Sequence, residues 1–233
     1  MNCPRHIALA SCLLLGAGVF SVSTAHAIPA DVVGGQTSVL LDAELLESAA
    51  GLTISGVSSD VIVPGNLGTD SVAFDINSRS ATAPLLPTTF TYDSDAFAPF
   101  SGTIEHLGSV FFNDGAIEVG NFTIGFDASR ASDDISGFFV ESTVGVEAIL
   151  SDVAPPSSLV ATATDLTIAA DLLVSPEFAG FLGLDLTGAD VGDALVEGIA
   201  QADAQVPVPT TLALFALGLI GMGYQQRRAQ RSA

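Results

Sequence analysis

Between residues 28 and 200 the apolar side chains fall on every second position, and that spacing constrains the fold more than any other feature. Val72, Phe74 and Ile76 alternate with Ala73, Asp75 and Asn77. Phe90 and Tyr92 share a face, as do Leu166, Ile168, Ala170 and Leu172. A period of two marks strands with one buried face, because successive side chains of an extended chain point to opposite sides. The run 138–150 is the longest example. It reads as one strand, with Phe138, Val140, Val144, Val146, Ala148 and Leu150 inward and Glu141, Thr143 and Glu147 outward.

Turn chemistry punctuates these runs. Asn113-Asp114-Gly115 follows Val110 and Phe112 and predicts a hairpin, because all three residue types tolerate positive φ. In the return strand the apolar positions change face near Gly120, which predicts a bulge there. Two short helices interrupt the strands. Asp42 caps one over Ala43–Ala50, which Gly51 ends. Ser175-Pro176-Glu177 opens another that reaches Leu182. Pro155-Pro156 marks a loop. Many strands with regular turns predict an all-β, antiparallel β-sandwich with one or two short helices, a closed barrel being the alternative.

Charge is distributed unevenly. Of 26 acidic and six basic residues, the stretch 28–205 holds every acid but only Arg79 and Arg130, and the chain has no lysine. Phosphate recognition needs Lys and Arg, so nucleic acid is excluded as a partner of this body. Both cysteines, Cys3 and Cys12, lie near the N-terminus, so the body must be held by core packing rather than disulfides.

The ends have a different character. Arg5 and His6 precede an apolar run over residues 7–20, and Ala25-His26-Ala27 has the small-x-small form of a signal-peptidase site, with Ala25 and Ala27 as its small residues. Residues 1–27 therefore read as a signal peptide with a signal helix, and 28–200 as a secreted acidic domain. Residues 201–209 read as a linker containing Val206, Pro207, Val208 and Pro209. Residues 210–226 read as a single transmembrane helix. They carry no charge and present Leu212, Leu214, Phe215, Leu217, Leu219 and Ile220. Their uncharged core of fifteen residues spans only about 22 Å as a helix, which is short against a hydrocarbon layer of about 30 Å. Arg227, Arg228 and Arg231, in the basic tail 227–233, fit a cytoplasmic anchor.

This order of proline motif, apolar segment and basic end resembles the PEP-CTERM sorting signal of bacterial surface and exopolysaccharide-associated proteins. The resemblance implies a bacterial host, an exosortase-type sorting enzyme as partner, and delivery to the cell surface or an exopolysaccharide matrix. Val208 stands where that motif has glutamate. Within the body, Val72–Ile76, the run 100–112, Val119–Ile124 and the run 175–182 resemble secreted HtaA-like domains, some of which bind haem. That resemblance implies an extracellular β-fold.

Few residues suggest chemistry. His106 is the one histidine of the body, and it reads as a polar strand-edge residue. No Gly-x-Ser-x-Gly elbow accompanies it, and no cysteine is there to serve as nucleophile. His106 or Tyr92 is a candidate haem ligand. Asp93 and Asp95 begin like a calcium loop, but Phe97 and Ala98 occupy the positions of the next ligand and the glycine. Glu105, Glu141 and Glu147 read as water-facing. The expectation is a non-enzymatic, membrane-tethered surface protein without a cofactor; the alternatives are a binding module for haem, Ca²⁺ or a glycan, and a secreted hydrolase.

Overall fold

The computed structural model describes residues 28–202. In chain order these form β1 (Pro29–Leu41), α1 (Ala43–Ala50), β2 (Ile54–Val57), β3 (Val72–Asp75), β4 (Thr91–Asp93), β5 (Phe97–Ser101) and β6 (Ile104–Glu105). There follow β7 (Ser109–Phe112), β8 (Ile117–Phe126), β9 (Phe138–Gly145), β10 (Ala148–Val153), β11 (Ser158–Ala161), β12 (Asp165–Val174), α2 (Pro176–Leu182) and β13 (Asp190–Ala202). The class is all-β and antiparallel with two short helices, as the alternation predicts. The stretches read as a signal peptide and a transmembrane helix lie outside the described residues.

The strands form one sheet rather than the two separate sheets of a sandwich. Its order is β2-β7-β8-β9-β10-β12-β13-β1-β4-β5, with β3 on β1, β6 on β8 and β11 on β12. The sheet curls until its flanks meet. Asn77 N donates to Glu105 O at 2.7 Å and Leu107 N to Asp75 O at 3.2 Å, so an Ile76–His106 bridge links the β3 side to the β6 side. The pairings thus run round a ring, close to the barrel alternative.

Bulges make that curl. In β1 the register shifts between Val32 and Gly34, and Gly35 has φ +117°. A side chain at Gly35 would run into the Glu197 carbonyl of β13. Inward positions change phase across this point, from Ala30 and Val32 to Thr37, Val39 and Leu41. In β8 the inward residues change from Ile117 and Val119 to Phe122 and Ile124. The irregularity predicted at Gly120 is seated one residue on, at Asn121, whose φ is +45°. Bulges sharpen local twist and bend a strand, which wraps a flat sheet into a curved one.

Local chemistry sets both helices. The Asp42 carboxylate accepts from Leu45 N, and Gly51 ends α1 in the left-handed region at φ +65°. The Ser175 hydroxyl accepts from Phe178 N, Pro176 fills the first turn, and Gly183 ends α2. The Asn113–Gly115 turn is left-handed at all three residues, as predicted.

The predicted long strand over 138–150 is instead a hairpin. β9 and β10 pair antiparallel, Ala148 opposite Ser142. Gly145 turns the chain at φ +74°, and Val146 N donates to Glu118 O at 2.8 Å. At the far end of the body β13 runs two residues into the stretch read as linker, because Ala202 pairs with Ala30 of β1.

The interior holds two apolar clusters arranged end to end along the long strands. One gathers Phe74, Phe112, Val119, Leu172 and Val174 beneath Leu46 of α1 and Phe178 of α2. The other gathers Val32, Ile76, Phe90, Tyr92, Ile104, Leu166 and Val196.

Candidate functional site

The candidate site is the interior of the ring within the first cluster, with Ile124 of the second at its edge. A cavity of about 110 Å³ lies there. Its wall is apolar apart from Thr37, His106 and Ser151. β1 supplies Thr37 just past its bulge, the segment after β6 supplies His106, and β10 supplies Ser151 at its own register shift.

His106 is not the strand-edge residue that its sequence suggests. Only 3% of it is exposed. Its Nδ1 lies 3.0 Å from Phe122 O and its Nε2 lies 2.7 Å from Thr37 Oγ1. A carbonyl only accepts, so Nδ1 carries the ring proton. In the neutral ring Nε2 therefore accepts, and the Thr37 hydroxyl donates. Burial pushes the imidazole pKa down to about 4, against a smaller upward pull from the Phe122 carbonyl. At neutral pH the ring is uncharged and both nitrogens are engaged.

Tyr92 sits in the other cluster and does not share a partner with His106. Its hydroxyl donates to Thr162 O at 2.7 Å, with Asp165 O at 3.1 Å. Burial and the Asp165 charge raise its pKa, outweighing the Thr162 bond, so the phenol stays protonated. Around it Phe90, Phe97, Phe100, Phe126 and Phe138 pack ring against ring, with Phe100 and Phe126 perpendicular at 5.0 Å. Neither Tyr92 nor His106 offers a free ligand atom in this arrangement.

The acidic residues that the sequence singled out do not converge. Asp93 accepts from Asp95 N at 2.9 Å and so closes its own turn. Among the described residues no group of three or more His, Cys, Asp or Glu is placed to hold a metal. Glu141 is half-buried and Glu147 exposed. Glu105, expected to face water, is buried and accepts from the Thr123 hydroxyl at 2.6 Å. The segment around residues 77–88 covers it, with Thr88 bonded to its backbone N–H at 3.1 Å. Thr37 and Ser151 carried no sequence signal of their own; the Gly34-Gly35 pair ahead of Thr37 was the one local hint of the bulge that turns it inward.

The body is thus an antiparallel β-protein closed round an apolar interior, attached to a distinct C-terminal segment. That segment, residues 205–228, matches the PEP-CTERM protein-sorting motif, so the chain carries a sorting signal of exported, membrane-anchored proteins. Val206, Pro207, Val208, Pro209 and the residues read as an anchor up to Arg228 fall inside the match but outside the described residues, and Arg231 lies beyond both. Among the described residues no helix is long and apolar enough to cross a membrane. The crystal structure of the C-terminal domain of HtaA from Corynebacterium glutamicum is similar, with a TM-score of 0.45 and 15% identity over 73% of this chain and 99% of that one. No curated protein matches the chain.

Proposed function

We propose that this is a non-enzymatic protein of the bacterial cell surface or its extracellular matrix, held in the membrane by its tail until an exosortase-type enzyme processes it. The sorting motif at 205–228 carries the reading. It begins three residues after β13 ends at Ala202, a strand paired on both sides within the sheet. In this reading residues 1–27 are removed after Ala27, and β1 starts at Pro29, next to that cut. Pro207 and Pro209 form the recognition element, residues 212–224 stop transfer, and Arg227, Arg228 and Arg231 stay in the cytoplasm. An exopolysaccharide is the matrix partner.

The body's chemistry supports a non-enzymatic role. Its single histidine is neutral, buried and doubly bonded, whereas acid–base catalysis needs an imidazole within reach of substrate. Membrane fractionation of the full chain and of a truncation lacking residues 227–233 tests the topology. The truncation should leave the membrane fraction; unchanged fractionation overturns the reading. Intact mass from cells with and without the exosortase reports whether the tail is cut.

A further inference from the structure

We propose that the cavity inside the curled sheet is a binding site for a small uncharged molecule, about one aromatic ring in size and bearing one hydroxyl group. Val39, Leu46, Phe74, Val119, Val140 and Phe178 supply much of its apolar wall. Engineered apolar cavities of about 150 Å³ stay dry and admit benzene, so about 110 Å³ is the scale of a single ring. Drug-sized ligands need about 300–1,000 Å³, which excludes a macrocycle or a sugar chain here. The small residue Ala194 helps leave the space open.

The polar corner specifies the ligand further. The Thr37 hydroxyl gives its proton to His106 Nε2, since Nδ1 is committed to Phe122 O. Thr37 Oγ1 keeps lone pairs that can accept from a ligand hydroxyl, and Ser151 offers a second hydroxyl on the wall. No cation lines the cavity, so an anion would find no counter-charge. A phenol-type ligand matches both the apolar wall and the acceptor.

Phenol and benzene are the probes, added to the full chain purified from membranes. Phenol at ten times its Kd should raise Tm by about 3–5 °C. Ala194→Leu fills the space and should abolish the shift in the same detergent. Val119→Ile is the gentler second filling variant and should weaken binding. NMR contacts from the phenol ring to the Val119 and Val140 methyls would place the ligand without reference to stability. Ser151→Ala should reduce the preference for phenol over benzene. The site is overturned if phenol leaves Tm unchanged, or shifts the wild-type chain and Ala194→Leu equally. Equal affinity for phenol and benzene overturns the hydroxyl requirement.

Discussion

Thr37 and His106 are 69 residues apart in sequence, and their side chains meet at 2.7 Å beside the seam where the curled sheet closes. The bond ties β1 to the segment after β6 and keeps a titratable ring uncharged in the interior. The folded ring has a pKa near 4, against 6.5 for a free histidine. Between these values the unfolded chain binds a proton that the folded chain refuses. Stability therefore rises with pH across the window; the contribution is complete above pH 6.5 and lost as pH falls through 4. The loss should be about 3 kcal/mol. Urea denaturation from pH 7 to 4 measures it. His106→Asn should flatten that part of the profile, and an identical slope in the variant would assign the acid sensitivity elsewhere.

Arg130 makes a second long-range tie. It donates through Nε to Asp152 at 2.7 Å and through both terminal nitrogens to Glu177 at 2.6 and 2.9 Å. The Glu177 bond, then the Asp152 bond, raises the guanidinium pKa, and Arg130 holds Glu177 down at about 2. The Asp152 side chain is only 5% exposed, that of Glu177 42%. Arg130→Ala should cost about 3 kcal/mol, because it strands a buried carboxylate. Glu177→Gln should cost about 1 kcal/mol or less, because water screens that pair. Chemical denaturation of the two variants separates these outcomes.

What the sequence made legible was local. The caps of α1 and α2 and the Asn113–Gly115 turn need only their own residues, and each was found where it was predicted. What it hid was set by distant partners. Residues 104–107 alternate as an edge strand would, and only Thr37 and the segment over β6 make His106 and Glu105 interior. The alternation of 138–150 runs through its turn without a break. The hairpin there is seated on a distant residue, Glu118, whose backbone carbonyl accepts from Val146 N and lies against Gly145. The apolar phase change in β1 disguised a strand of thirteen residues.

That hairpin allows a contrast between two glycines of similar φ. Gly145 is at +74° and Gly51 at +65°. A Cβ at Gly51 would meet open space, whereas one at Gly145 would strike the Glu118 carbonyl. Gly51→Ala should therefore cost about 1 kcal/mol, the ordinary penalty for left-handed backbone. Gly145→Ala should cost at least about 2 kcal/mol, as steric conflict adds to the same strain. Equal losses in thermal or urea melts would mean that the β9–β10 turn can relax.

Asp171 and Asp193 stand directly opposite each other on β12 and β13, with Asp190 near the same end. Burial, then the charges of Asp171 and Asp190, raises the Asp193 pKa. A carboxyl shifted this way favours the fold when protonated, so its contribution is present at low pH and lost as pH rises through the raised value. Like charges at directly opposed positions of neighbouring strands repel. Asp193→Asn should then stabilise the body by about 0.5 kcal/mol, the scale of a cross-strand like-charge pair. The gain should shrink in 1 M salt, where the screening length is about 3 Å, and vanish below the carboxylate range. A gain independent of both salt and pH would trace the effect to packing rather than charge.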